Sequence, residues 1–176
     1  MSPILRLVPA GRHECARRPL GPRDVHAWWF DGLGPFDLDG LTEDERARAA
    51  HYRAPDDLAR FVLGRRRLHA VCATYTDAAV CHDRRGRPRV EGDELFVSVS
   101  HSGRVAVIAV ARRPVGVDVE RHTGKPPDPD LVRRFLSPRT LRRSAAAVEA
   151  AFLHRWVRVE ALAKALGSGL NLGLRA

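Results

Sequence analysis

Cysteine is scarce in this chain. Cys15, Cys72 and Cys81 are an odd number with no CxxC spacing, and the first residues lack the long apolar core of a secretion signal, so a secreted disulfide scaffold is not indicated and a cytoplasmic setting is expected. Long hydrophobic runs are missing too. The longest, Val105 to Ala111, falls far short of the ~20 apolar residues that span a bilayer, which leaves no membrane partner to expect. No short-period repeat or low-complexity tract is present, and the scattered cysteine and histidine residues, Cys81 and His82 included, lack zinc-ligand spacing. Lysine is rare while arginine abounds. The formal charge of +9 and pI near 10.8 favour an anionic partner, whether nucleic acid, a phosphorylated small molecule, an acidic protein or a lipid surface. Basic positions interleaved with exposed aromatics, or a recognisable reading module, would argue for nucleic acid; neither is evident.

What is present is an ordinary globular composition, 44% hydrophobic and 29% charged, in 176 residues, enough for one domain or two small lobes. Strands are expected near Ile4 to Val8 and Val25 to Phe30. Thr42 followed by Glu45 forms a capping box for a helix over about 43–53, and Pro55 opens a second helix whose apolar face runs from Leu58 to Tyr75. The GRP at Gly86 to Pro88 marks a turn, and strands are expected at Leu95 to Ser100, Arg104 to Ala111 and Val115 to Glu120. After the proline-rich segment RHTGKPPDPD, short helices at Leu131 to Leu136 and from Pro138 lead into a long one over Val148 to Leu166. Strands mixed with helices through short connections predict an α+β fold.

Three stretches could carry chemistry. In PVGVDVE, period-two geometry turns Asp118 and Glu120 to one side and the valines to the other, and two neighbouring carboxylates call for a cation. A hard divalent metal such as Mg2+ is one reading. A solvated strand end salt-bridged to Arg112, Arg113 or Arg121 is the other, and DxE alone favours this second reading. In WVRVEALAK, helical spacing stacks Trp156, Glu160 and Lys164 on one ribbon, either as a site beneath an aromatic neighbour or as a surface ion pair. In SVSHSG, Ser100 and His101 end a strand at a glycine turn where hydroxyl and imidazole could meet phosphate. A Ser/His nucleophile pair is disfavoured there, because adjacent strand residues point apart.

Taken in order, LTEDERARAAHYRAPDDLARFVLGRRRLHAV, GRP, SVSHSG, GVDVE, RRFLSP and WxxxExxxK, covering roughly residues 41 to 170, resemble the 4'-phosphopantetheinyl transferases of the larger type that serves peptide and polyketide synthases. The resemblance implies two similar α+β lobes, 1–111 and 112–176, with a cleft between them and a C-terminal lobe shortened at Ala176. It implies transfer of the phosphopantetheine arm from coenzyme A to a serine of an acyl or peptidyl carrier protein, releasing 3',5'-ADP, by a monomer. Asp118, Glu120 and Glu160 would hold Mg2+ or Mn2+, Glu160 would act as base, and Lys164 would steady phosphates. Coenzyme A would meet Arg48, Arg60, Arg87, Pro88, Ser100 and His101. Val159 stands where the family usually has a lysine before the helix glutamate, and Ser168 where a lysine is frequent. Both departures keep open a second reading, a non-catalytic protein that binds coenzyme A or a carrier without turnover.

Overall fold

The computed structural model describes residues 4–9 and 18–167, apart from 33, 85, 93, 123, 125 and 126; Cys15 and Ser168 lie outside the described residues. The chain runs β1 (Ile4–Pro9), β2 (Asp24–Asp31), α1 (Glu43–Ala49), α2 (Pro55–Ala73), β3 (Val80–His82), β4 (Pro88–Val90), β5 (Phe96–Ser102), β6 (Val105–Ala111), α3 (Pro129–Phe135), α4 (Pro138–Leu141) and α5 (Ala145–Leu166). The architecture is mixed α+β. One sheet has the order β1-β2-β6-β5, with β1 parallel to β2 and the other pairs antiparallel, and β3 with β4 forms a small separate ribbon. Among the described residues no helix is long and apolar enough to cross a membrane.

Register divides the sheet into two faces, since directly paired residues share a side. On one face Trp28, Phe30, Ile108 and Val110 pack against Leu68, Val71 and Cys72 of α2, with Tyr75 just beyond its end. Ile108, Val110, Leu68 and Val71 are wholly buried, each burial contributing about 1.5–3 kcal/mol. The Tyr75 hydroxyl sits among them because it accepts from Trp28 Nε1 at 2.9 Å and lies 2.8 Å from His26 Nδ1. Helix α1 starts on the expected capping box: the Glu45 amide donates to Thr42 Oγ1 at 3.3 Å and the Thr42 amide to Glu45 Oε2 at 3.0 Å.

The opposite face carries small residues, Ala109 and Ala111, on which Val115 and Val117 settle. Here the structure corrects an expectation, because among the described residues Val115 to Glu120 is no strand of either sheet. The segment lies on the face of β5, where strand backbone cannot reach strand backbone. Its N–H groups at Val117, Val119 and Arg121 donate instead to the hydroxyls of Ser98, Ser100 and Ser102, at 3.1, 3.3 and 3.1 Å. One bond every two residues on both partners means that it runs extended and parallel to β5.

Helix α5 lies over this segment. The two backbones approach so closely at Gly116 that a Cβ there would stand 1.8 Å from the Ala161 carbonyl oxygen. The helix is otherwise held by an aromatic cluster: Phe135, Phe152 and Trp156 have ring centroids 5.6 to 6.0 Å apart. Trp156 therefore belongs to the packing of α3 against α5. On the outer side of α5, Leu162 and Leu166 are 55% and 61% exposed.

Candidate active site

Asp118 is a well-buried carboxylate. Its side chain is only 6% exposed, and Oδ1 accepts from both Lys164 Nζ and Ser100 Oγ at 2.7 Å. Lys164 Nζ also donates to Ser100 Oγ at 3.0 Å, so three segments distant in sequence close on one point. The cation beside Asp118 is thus a lysine 46 residues away, in place of the arginines considered at the strand end. Oδ2 of the same carboxylate is buried with no hydrogen-bond partner among the described residues. Glu120, nearer solvent, accepts from Ser102 Oγ at 3.0 Å through Oε2.

Glu160 stands one turn before Lys164 on α5. Burial, and then the Asp118 charge, hold its carboxyl above the ordinary range; Lys164 offsets part of this and Glu120 adds to it. The three carboxylates are therefore close enough to feel one another. Among the described residues no group of three or more His, Cys, Asp or Glu side chains is gathered as a metal cluster.

On the other face of β5 lies a basic groove of about 200 Å³, lined by Arg60, Phe61, Gly64 and Arg65 of α2 together with Gly86, Pro88, Val99 and His101. Arg48 joins it, its guanidinium 5.8 Å from the Phe61 ring centre and 3.3 Å from where a Cβ of Gly86 would be. Arg60 is hydrogen-bonded to Asp57 one turn earlier. A second groove of about 270 Å³ shares Gly86, Pro88 and Val99 with the first and reaches Ser98 and Lys164. Together they run around β5, from the arginines on one side to the lysine on the other.

Alternation in a strand accordingly separates Ser100 from His101. Ser100 sides with Asp118 and Lys164, and His101 with Arg60 and Arg65. Arg87 is turned to the end of α5, where it donates to the Ala165 carbonyl at 3.3 Å.

Reasoning from sequence passed over several residues here. Arg65 lies in the groove wall and 3.8 Å from Glu45, which also meets His69 at 2.9 Å and is almost fully buried. Burial raises the Glu45 pKa, yet the hydrogen bonds from His69 and Thr42 and the charges of His69 and Arg65 leave it below the ordinary range. His82 contacts Arg65, and burial followed by that guanidinium holds its pKa down. The signal for Arg65 was drowned by its own neighbours in RRR. Burial pushes the Cys72 thiol up to about 12, which makes it a core residue without nucleophilic use.

Residues 114–176, which include the GVDVE segment and α5, match the family model described as the 4'-phosphopantetheinyl transferase superfamily. The 4'-phosphopantetheinyl transferase psf-1 of Bacillus pumilus is 33% identical over 155 residues, 82% of this chain and 64% of that protein. HetI of Nostoc sp., also named a 4'-phosphopantetheinyl transferase, is 31% identical over 145 residues, 74% of this chain and 61% of its own length. Sfp of Bacillus subtilis is 24% identical over 144 residues, 76% of this chain and 63% of its own. Residues 114–176 thus carry the match to the 4'-phosphopantetheinyl transferase superfamily, and the chain is similar to named 4'-phosphopantetheinyl transferases along most of its length. It spans less than two thirds of the length of these relatives.

Proposed function

We propose that this chain transfers the 4'-phosphopantetheine arm of coenzyme A to a serine hydroxyl of an acyl or peptidyl carrier protein, leaving 3',5'-ADP. The observation that carries the reading is the meeting of Asp118, Lys164 and Ser100, with Glu160 beside them, at the end of a groove that begins among Arg48, Arg60, Arg65 and His101. Phosphoryl transfer asks a protein mainly for positioning and for charge neutralisation. The arginine side of the groove suits the 3'-phosphate end of coenzyme A, and the lysine side its diphosphate. The net charge of +9 favours encounter with both a polyanionic substrate and an acidic carrier.

The donor set fits a hard divalent cation such as Mg2+ or Mn2+. Asp118 presents a buried oxygen that no donor among the described residues satisfies, and Glu160 is ionised only against the charges of two other carboxylates. Asp118, Glu120 and Glu160 would hold the ion, which when bound would neutralise charge on the diphosphate oxygens. Lys164 holds Asp118 in place and carries a positive charge into the groove. Glu160, its pKa raised by burial and then by the Asp118 charge, is suited to accept the proton of the carrier serine. Lobes at 1–111 and 112–176 belong to the same proposal.

The test is to incubate the protein with Mg2+, coenzyme A and an apo carrier that a second transferase is shown to modify, and to weigh the carrier by mass spectrometry. Addition of the arm supports the reading, and its absence overturns it. Asp118→Ala and Glu160→Ala are expected to abolish transfer. Val159, standing where the family usually carries a lysine, favours one further reading, a non-catalytic binder. Calorimetric binding of coenzyme A without transfer would decide for it.

A further inference from the structure

The hydroxyls of Ser98, Ser100 and Ser102 form a ladder up one face of β5, and they follow a rule. Ser100 accepts the Val119 N–H at 3.3 Å and donates to Asp118 Oδ1 at 2.7 Å. Ser102 accepts the Arg121 N–H at 3.1 Å and donates to Glu120 Oε2 at 3.0 Å. Each of these serines thus grips one residue pair twice, taking the amide just after a carboxylate and giving its own proton to that carboxylate. Ser98 takes the Val117 N–H at 3.1 Å, and the residue before that valine is Gly116, with no carboxylate to hold.

A hydroxyl has one proton to give and two lone pairs. Ser100 uses all three, since Lys164 Nζ donates to it at 3.0 Å as well. Among the described residues the segment bearing Asp118 and Glu120 has no strand ladder of its own, so these side chains supply the acceptors for three of its amides. Its register along β5 and the rotamers of its carboxylates are consequently set by the same oxygen atoms.

We propose that Ser98 and Ser102 are positioning residues: with Ser100 they form a hydroxyl ladder that fixes the register of residues 117–121, and Ser102 aims Glu120. The aiming claim rests on the transferase reading, in which Glu120 helps to hold a divalent ion. The ladder does not. Losing a hydrogen bond that orients a ligand typically weakens metal binding by about 10- to 100-fold. Threonine carries a hydroxyl on the same carbon and suits a strand, so it should restore what alanine removes.

The experiment uses the full chain with Ser98→Ala, Ser102→Ala and Ser102→Thr, and takes two readouts. Amide hydrogen exchange by NMR should show Val117 faster in Ser98→Ala and Arg121 faster in Ser102→Ala, each by about tenfold, with β6 amides unchanged as the internal reference. Mn2+ binding in the presence of coenzyme A, followed by electron paramagnetic resonance, should weaken by about tenfold in Ser102→Ala and recover in Ser102→Thr. Unchanged exchange at Val117 and Arg121 overturns the ladder. Faster exchange with unchanged Mn2+ affinity, or no recovery with threonine, overturns the aiming of Glu120. A wild-type chain that binds no Mn2+ overturns the aiming together with the metal reading, and the exchange data still decide the ladder.

Discussion

Gly116→Ala is the most demanding single-methyl test of how the site is assembled. A Cβ at this position would stand 1.8 Å from the Ala161 carbonyl oxygen, 2.6 Å from the Ala165 nitrogen and 2.9 Å from the Ala161 carbonyl carbon. All three are helix backbone, which cannot swing aside as a side chain can. To bring the first contact from 1.8 Å to the 3.0 Å that real Cβ atoms respect, α5 and the GVDVE segment must part by more than an ångström. Glu160 and Lys164 immediately precede the two residues being pushed, so the 2.7 Å bond from Lys164 to Asp118 takes the displacement directly. Overpacking of this kind costs roughly 1–3 kcal/mol, and the strained ion pair adds to it, so a loss of about 2–4 kcal/mol is expected. Urea unfolding followed by circular dichroism measures it, provided the slope with denaturant is unchanged. On the proposed transfer reading, carrier modification should fall about 100-fold, the usual consequence of misplacing a reacting group by an ångström. A variant whose stability stays within about 0.5 kcal/mol of wild type, well below the overpacking range, refutes the close approach and the account of the site built on it.

Gly64, inside α2, makes the opposite case: nothing lies within 4 Å of where its Cβ would be, and it lines the basic groove. Gly64→Ala should stabilise the fold by about 0.4–1 kcal/mol and, on the proposed reading, weaken coenzyme A binding in calorimetry; destabilisation would show that the position is not open. Glu45 has a folded pKa below its unfolded value, so its contribution is present at neutral pH and is lost as pH falls through the folded pKa. The difference in melting temperature between wild type and Glu45→Gln should therefore be largest near pH 7 and shrink toward pH 3, and a difference independent of pH would contradict the assignment. Lys164→Met leaves Asp118 buried without its cation and should cost roughly 1–3 kcal/mol, discounted because the lysine is 31% exposed. Adding Asp118→Asn should recover most of that loss, and additive losses in the double-mutant cycle would deny the pairing.

Periodicity made much of this protein legible. The capping box at Thr42 and Glu45, the long α2 and α5, and the strands β2, β5 and β6 all announce themselves through local chemistry and spacing. The ribbon of β3 and β4 does not, because three residues a side are too few for a period to show. Period two sorts GVDVE into a valine side and a carboxylate side, but it cannot say what the backbone bonds to. A chain lying on a sheet face has the same side-chain alternation as one paired at an edge, and only the serine hydroxyls opposite tell the two apart. Helical spacing likewise put Glu160 and Lys164 on one ribbon, yet the lysine's bonds to Asp118 and Ser100 depend on where α5 rests, which spacing along one helix cannot reveal.

What decides that resting place is an absence. In the sequence, Gly116 draws no notice beside two carboxylates that carry obvious chemistry. In the fold, its missing side chain lets the backbone of α5 descend onto the segment, and only at that distance can the Lys164 ammonium reach Asp118 and the Glu160 carboxylate feel its neighbours. The glycine thus shapes the candidate site as fully as the aspartate and glutamate do. Conserving the charges while enlarging position 116 should leave all the site's functional groups present and none of them in register.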